Sequence, residues 1–119
     1  MRPRPPLRRV RAAAWALRAA IAARRQLAGG QMPPLDLPPV PELPDSSTWT
    51  VNFVLDKAMF TCLVRATVRQ AWHAAHGWQR DLVIGVRPPD SDFEAHAWLE
   101  GDDPRAAEGY YELTRRGPA

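Results

Sequence analysis

A proline-rich stretch divides this chain and limits how it can fold. Residues 31–48 read QMPPLDLPPVPELPDSST, with six prolines between Pro33 and Pro44. Each proline lacks an amide donor, and the residue before it is pushed toward an extended conformation, so neither an α-helix nor a central β-strand can run through this stretch. It predicts a semi-rigid, polyproline-like linker between an N-terminal segment, residues 1–30, and a domain spanning residues 49–119.

The charge of the chain is distributed unevenly across this linker. Residues 1–28 hold eight arginines and no acidic side chain, whereas residues 29–119 hold eight basic and thirteen acidic side chains. A basic arm suits a nucleic acid, an anionic membrane or an acidic partner. A nucleic-acid footprint normally extends across a folded face, and the body of this chain is net negative. A basic-armed nucleic-acid-binding domain is therefore the weaker hypothesis, and no nucleic-acid partner is predicted.

Residues 8–28 predict an amphipathic helix that ends at Gly29 and Gly30, because alanine is abundant and glycine tolerates the left-handed conformation of a helix terminus. A lone amphipathic helix needs a surface on which to bury its apolar stripe, so we expect this helix to dock on the body. Arginine recurs every seven residues on a neighbouring stripe, at Arg11, Arg18 and Arg25. The expected docking stripe consists of Val10, Ala14, Leu17, Ile21 and Ala28.

The expected location of the protein is the cytoplasm. No apolar run is long enough to span a membrane, and Arg18 interrupts what would be the apolar centre of a signal peptide. Cys62 is the single cysteine, which excludes an internal disulfide and suits a reducing compartment.

The first half of the predicted domain contains one well-marked helix. Trp49–Leu55 is apolar and β-branched enough for a short strand or a packed approach segment. Thr61 stands at the N-cap position of a helix over residues 62–76, which Gly77 closes.

The second half predicts strands. Leu82–Val86 reads as a buried strand, and the run RPPDSD from Arg87 to Asp92 reads as a turn. Phe93–Glu100 alternates between apolar and polar residues, and Tyr110–Thr114 returns as a last strand. Together these elements predict an α+β fold with an antiparallel sheet packed on one helix.

Two side chains in this domain suit nucleophilic catalysis. Cys62 lies at the predicted first position of a helix, where free backbone amides and the helix dipole favour a thiolate; the alternative is a small buried hydrophobe. His96 lies in the middle of a strand and, if that strand packs against the start of the helix, can take the thiol proton and later protonate a leaving amine. The alternative is a histidine hydrogen-bonded within a polar face. Trp98 lies on the same face of the predicted strand as His96 and is expected to line the active site.

Three runs of residues resemble one known family in their order and spacing. Across roughly residues 55–100, they are similar to the C-L-x-R-[AS] helix start, the I-G-V strand and the A-H-A-W-[VL]-E strand of the transglutaminase-like leader peptidases of lasso-peptide biosynthesis. In this chain they read Thr61-Cys62-Leu63-Val64-Arg65-Ala66, Leu82-Val83-Ile84-Gly85-Val86 and Phe93-Glu94-Ala95-His96-Ala97-Trp98-Leu99-Glu100.

The resemblance implies a papain/transglutaminase-like fold, with the catalytic helix on a small antiparallel sheet. It implies a cysteine endopeptidase that removes the leader peptide from a ribosomally synthesised lasso-peptide precursor, with Cys62 as the nucleophile and His96 as the general base. It implies no metal and no cofactor. The partners it implies are the precursor peptide, a small leader-recognition protein and the ATP-dependent lasso cyclase. The alternative within the same pathway is a non-catalytic module that binds a peptide.

The third catalytic residue is where this sequence departs from the family, which carries an acid on the strand returning after the histidine. Counting twelve residues from His96 without gaps reaches Glu108. A hairpin turning near Asp102 and Asp103 would bring Glu108 back beside Ala97 and Gly109 opposite His96. Glu108 is therefore the predicted third member, with Asp102 and Asp103 as alternatives that ordinary turn chemistry also explains.

An oxyanion hole is also required. The Cys62 backbone amide is the first candidate donor. Asn52 is a candidate second donor, although its distance from Cys62 does not follow from the sequence. Arg65 is a candidate for binding a substrate carboxylate, although a surface ion pair also explains it.

Overall fold

The computed structural model describes residues 5–87 and 94–119, so residues 88–92 of the predicted turn and the strand start at Phe93 lie outside the described residues. It confirms the predicted α+β class, with an antiparallel sheet packed on one helix. In chain order, the elements are α1 (Pro5–Ala28), a 3-10 helix (Asp45–Ser47), α2 (Thr48–Lys57), α3 (Cys62–Ala75), β1 (Leu82–Val86), β2 (Ala95–Leu99), a second 3-10 helix (Pro104–Ala107) and β3 (Tyr111–Arg116). No helix among the described residues is long and apolar enough to cross a bilayer.

The sheet places β1 in the centre, with the strand order β2-β1-β3 and both pairings antiparallel. Gly85 lies opposite His96 on one side and opposite Glu112 on the other, next to an irregularity in the β1–β3 register. The predicted pairing of the last strand with β2 is therefore wrong. The chain leaves β2, passes through the second 3-10 helix and crosses to the far edge of β1.

Helix α3 has the predicted ends. Thr61 is its N-cap, and the Thr61 hydroxyl accepts a hydrogen bond of 3.3 Å from the Val64 amide. At the other end, Gly77 has φ +82°, the left-handed conformation that terminates a helix and that glycine adopts without a steric penalty.

Helix α3 is buried on two sides. One side packs with α1 and α2 in a cluster that includes Val64, Val68 and Trp72, and the other packs Ala66 against the sheet. The sheet cluster consists of Ala66, Leu82, Ala97 and Leu99, with Cys62, Leu63 and Ile84 packed against it. The molecule therefore has three layers, with α1 and α2 on one side of α3 and the sheet on the other.

Helix α1 docks on the body as expected, but through the opposite face. The predicted stripe is wrong, because Val10 and Leu17 are 63% and 41% exposed. Small side chains allow the helix backbones to approach closely, so packing selected the alanine-rich face. Trp15 fills the space that the alanines leave and lies 5.6 Å from Trp72 between ring centroids. The fully buried α1 residues are Ala12, Trp15, Ala16, Ala19, Ala20 and Ala23.

The proline-rich segment has no helix or strand over residues 31–44, as its prolines predict, and it packs across the helices. Leu35 and Leu43 are buried in the helical cluster. The Trp15 indole donates a hydrogen bond of 3.0 Å to the Pro38 carbonyl, and the Gln26 side chain both donates to and accepts from the backbone of Asp36. These contacts attach the segment to α1 along its length.

The strand alternative for Trp49–Leu55 is wrong, since these residues belong to helix α2. Val51 and Leu55 are buried, and their separation of four residues places them on one helical face. The β-branched residues favoured a strand locally, but burial against the helical cluster decided the conformation. The Trp72 indole also donates a hydrogen bond of 2.8 Å to the Thr48 hydroxyl, which fixes the start of α2 on α3.

Replacing Trp15 by alanine should lower the free energy of unfolding by about 3–5 kcal/mol, because it removes a fully buried ring and leaves a cavity against Trp72. Leu17→Ala on the exposed side of α1 is the matched control and should change it by less than about 0.5 kcal/mol. Urea denaturation of both variants measures the difference. Equal losses would show that α1 does not dock through its alanine face.

Candidate active site

An open cleft of about 340 Å³ lies where α2, α3, β2 and the second 3-10 helix meet. It brings together Cys62, His96 and Asp102, which are far apart in the sequence and were predicted as site residues. Asn52 and Trp98 also line it. The complete lining is Asn52, Asp56, Cys62, Arg65, Ala66, Arg69, His96, Ala97, Trp98, Asp102 and Ala106.

Cys62 is held at the cleft by the start of α3. It is the first residue after the Thr61 N-cap, it is half-buried, and it packs against the cluster containing Ala97 from β2. The first amides of a helix have no partner within the helix, so this end of α3 presents free N–H donors beside the sulfur. Such donors stabilise negative charge that develops on a neighbouring oxygen.

His96 stands on β2 among aromatic side chains. Its ring lies 5.6 Å from that of Trp98 and 5.0 Å from that of Tyr110, measured between centroids. Burial lowers the pKa of His96 below the usual value of 6.5, and the positive charge of Arg65 lowers it further. The imidazole is therefore neutral at neutral pH, which is the state that accepts a proton.

The three candidate acids occupy different environments. Glu108 is exposed after the second 3-10 helix, and the β2–β3 pairing that would have placed it beside Ala97 does not form. Asp103 caps the 3-10 helix by accepting a hydrogen bond of 3.0 Å from the Arg105 amide, as its turn chemistry predicted. Asp102 alone of the three lines the cleft.

Asp102 is held by two arginines. Its carboxylate accepts hydrogen bonds of 2.7 Å and 3.1 Å from Arg69 on α3, one of 2.7 Å from Arg80 and one of 3.1 Å from the Leu99 amide. Burial by itself would raise the pKa of Asp102, but the hydrogen bonds and charge of Arg69, with the hydrogen bonds from Arg80 and the Leu99 amide, hold the pKa at about 2. A carboxylate that is charged at neutral pH therefore joins α3 to the end of β2, and its charge, after that of Glu94, favours protonation of His96.

Asn52 and Arg65 complete the wall on the side of α2. Arg65 forms the expected surface ion pair, since its guanidinium lies 3.2 Å from the Asp56 carboxylate. The Asn52 side-chain oxygen and the Arg65 Nε are each buried without a hydrogen-bond partner among the described residues. The wall thus contains one unsatisfied acceptor and one unsatisfied donor.

Comparison with known families gives one match. A model of the family described as the transglutaminase-like superfamily matches residues 7–116. The chain belongs to the transglutaminase-like superfamily. Comparison with curated proteins and comparison with solved structures each gave no match. The superfamily match includes α1, in agreement with the packing of that helix in the core.

The middle of β1 in this transglutaminase-like domain, at Gly85, has no room for a side chain. A Cβ atom at this position would lie 2.8 Å from the Trp98 ring and 2.8 Å from the Tyr111 carbonyl oxygen. The Trp98 ring therefore crosses β1 above Gly85 while Trp98 also lines the cleft. The central glycine of the Ile84-Gly85-Val86 run has a packing role in forming the site.

Tyr110 is the site neighbour that sequence reasoning missed. It was assigned only to the start of a strand, but its ring lies 5.0 Å from that of His96 and 6.1 Å from that of Trp98. No local pattern marks it, because its position depends on β3 crossing to the far edge of β1. Within residues 5–87 and 94–119, no group of three or more histidine, cysteine or acidic side chains is arranged to hold a metal ion.

Arg65→Gln should raise the pKa of His96 toward 6.5 without reaching it, because it removes a positive charge but leaves the ring buried. An NMR titration of the His96 ring measures this shift, with Arg105→Gln as a control at an exposed arginine outside the cleft. A fall in the pKa on removing Arg65 would contradict the assigned cause.

The depressed pKa of His96 also predicts how the stability of the fold depends on pH. Because this pKa is lower in the folded state, the contribution of His96 to the free energy of unfolding is present above pH 6.5 and is lost as the pH falls through and below that value.

Gly85→Ala should lower the free energy of unfolding by about 1–3 kcal/mol, because Trp98 or the backbone of β3 must shift to admit a methyl group. Gly117→Ala is the matched control, since its Cβ would lie 3.8 Å from the nearest atom. Thermal or urea denaturation compares the two. A stability unchanged by Gly85→Ala would show that Trp98 does not lie over β1.

Proposed function

We propose that the protein is a cysteine peptidase that removes the leader from a ribosomally synthesised lasso-peptide precursor. The observation that carries the proposal is that Cys62, at the start of α3, and His96, on β2, line one cleft in a transglutaminase-like domain. The finer assignment, to lasso-peptide leaders, is supported by the resemblance of the runs around Cys62, Gly85 and His96 to that family.

The reaction uses the two side chains in turn. His96 takes the thiol proton, and the Cys62 sulfur attacks the scissile carbonyl carbon to form a tetrahedral intermediate whose oxyanion faces the amides at the start of α3. The carbon–nitrogen bond then breaks, and the imidazolium gives its proton to the leaving amine. Water, deprotonated by His96, hydrolyses the thioester and restores the free thiol.

The surroundings of His96 suit it to this cycle. A neutral imidazole at rest can act as a base, and burial keeps it neutral. The negative charges of Glu94 and Asp102 favour the imidazolium that forms during the attack, and of these two Asp102 lines the cleft, while Trp98 and Tyr110 pack against the ring. We therefore assign Asp102 as the acidic member of the site and Trp98 and Tyr110 as residues that orient the imidazole.

A peptide substrate agrees with the polar composition of the cleft wall. A peptide unit carries one N–H donor and one carbonyl acceptor, which complement the Asn52 oxygen and the Arg65 Nε, two atoms without a hydrogen-bond partner among the described residues. The proposed partners are the precursor peptide, a small leader-recognition protein and the ATP-dependent cyclase, and a reactive thiol suits the reducing cytoplasm.

The first test measures whether Cys62 and His96 are coupled. Wild-type protein should react with iodoacetamide at neutral pH at least about 10²-fold faster than His96→Ala, because the imidazole removes the thiol proton. His73→Ala is the control, since His73 packs against Trp78 and does not line the cleft. Equal rates in wild type and His96→Ala would instead favour the second candidate, a module that binds the peptide without cleaving it.

The second test measures the reaction type and the substrate. Leader-containing lasso precursor peptides are incubated with the protein, with and without a leader-recognition protein, and the products are weighed by mass spectrometry. Cleavage that is lost in Cys62→Ala supports the proposal. A Cys62-dependent product formed by transfer to an added amine, with no hydrolysis, would identify a transglutaminase and overturn the peptidase assignment.

A further inference from the structure

Helix α1 carries a second apolar surface that the body does not cover. This surface, the outer seam, lies on the opposite side of the helix from the buried alanines and Trp15. Leu7, Val10 and Leu17 are 55%, 63% and 41% exposed, and Ile21 is half-buried. The seam consists of Leu7, Val10, Ala14, Leu17 and Ile21.

The spacing of the outer seam is that of a coiled coil. Its members alternate at intervals of three and four residues, which is the a/d pattern of a heptad repeat. Arg11, Arg18 and Arg25 then occupy successive e positions beside the seam, and all three side chains are exposed. In a coiled coil, e positions face charged residues of the partner helix and determine which partner binds.

The arginines of α1 are not neutralised within the described part of the chain. Helix α1 contains six arginines and no acidic residue, and none of the six forms an ion pair among the described residues. In the body, by contrast, arginines at five positions pair with carboxylates. These are Arg65, Arg69, Arg80, Arg87 and Arg115.

We propose that the outer seam of α1 binds an amphipathic helix of a partner protein that carries glutamate or aspartate opposite Arg11, Arg18 and Arg25. The apolar seam needs an apolar counterpart, which a nucleic acid does not offer. A second copy of this chain would bring two acid-free, arginine-rich helices together and leave their charges unpaired. Binding to a lipid bilayer requires neither a strict heptad spacing nor an arginine at every e position. An acidic helix satisfies both the seam and the arginines.

The inference is independent of the proposed peptidase activity, because no α1 residue is among those that line the cleft. Its probe is a fluorescein-labelled synthetic helix with leucine at a and d and glutamate at e and g, whose like charges keep it from pairing with itself. A second peptide of the same design carries lysine in place of glutamate. Fluorescence anisotropy with the full chain measures both affinities.

The glutamate peptide should bind wild-type protein, and the lysine peptide should not. Arg11→Glu/Arg18→Glu should weaken the glutamate peptide at least about tenfold and should create binding of the lysine peptide, because the charge pattern is exchanged. Arg9→Glu/Arg105→Glu makes the same change of net charge away from the seam and should keep the wild-type preference. Leu17→Ser should weaken the glutamate peptide without changing the melting temperature, since Leu17 lies outside the core.

Three results would overturn the proposal. One is that neither peptide binds, or that both bind equally well. Another is seam-dependent binding to vesicles of equal parts phosphatidylglycerol and phosphatidylcholine with no binding of the glutamate peptide, which would identify a membrane surface. The third is self-association of wild-type protein that Leu17→Ser abolishes, which would identify a second copy as the occupant.

Discussion

The burial of α3 on two sides is the constraint on which the rest of the structure depends. Val64, Val68 and Trp72 face the helical layer, while Ala66 faces the sheet. A helix held on both sides cannot rotate or slide without opening one of two close-packed interfaces. Cys62, the first residue of this helix, therefore has a fixed position relative to β2.

The cleft depends on the packing of α3 and also on a polar connection between α3 and the end of β2. Asp102 binds Arg69 on α3 and Arg80 before β1, and also accepts from the Leu99 amide. Charge-assisted bonds of this kind are directional and strong, so they set the distance between the helix start and the strand that carries His96. The carboxylate that joins these elements also adds, after Glu94, to the negative charge that favours protonation of the imidazole.

Helix α1 has two apolar surfaces, and the periodicity of its sequence identifies the one that does not pack on the body. Periodicity identifies the seam of Val10, Leu17 and Ile21 because its side chains are large, whereas the face that packs consists mainly of alanines. Hydrophobicity alone favours the larger side chains, but close approach of two helix backbones favours the smaller ones. The seam that periodicity identified is the surface from which we infer a partner.

The sequence by itself determined what depends on neighbours along the chain. Thr61 and Gly77 mark the ends of α3, the prolines exclude an α-helix or a central strand over residues 33–44, and the alternation around His96 predicts a strand. Each of these rests on backbone geometry or on hydrogen bonds within a few residues.

Only the tertiary structure decided what depends on distant packing. The helical state of Trp49–Leu55 and the choice of face on α1 follow from burial against residues remote in sequence. The far-edge position of β3 follows from backbone pairing with β1. The same holds for the acidic residue that we propose for the site, since a count along the chain reaches Glu108 while the fold brings Asp102 to the cleft. A change in strand order moves every residue after the turn, and no local pattern predicts that order, because the pairing joins residues far apart along the chain.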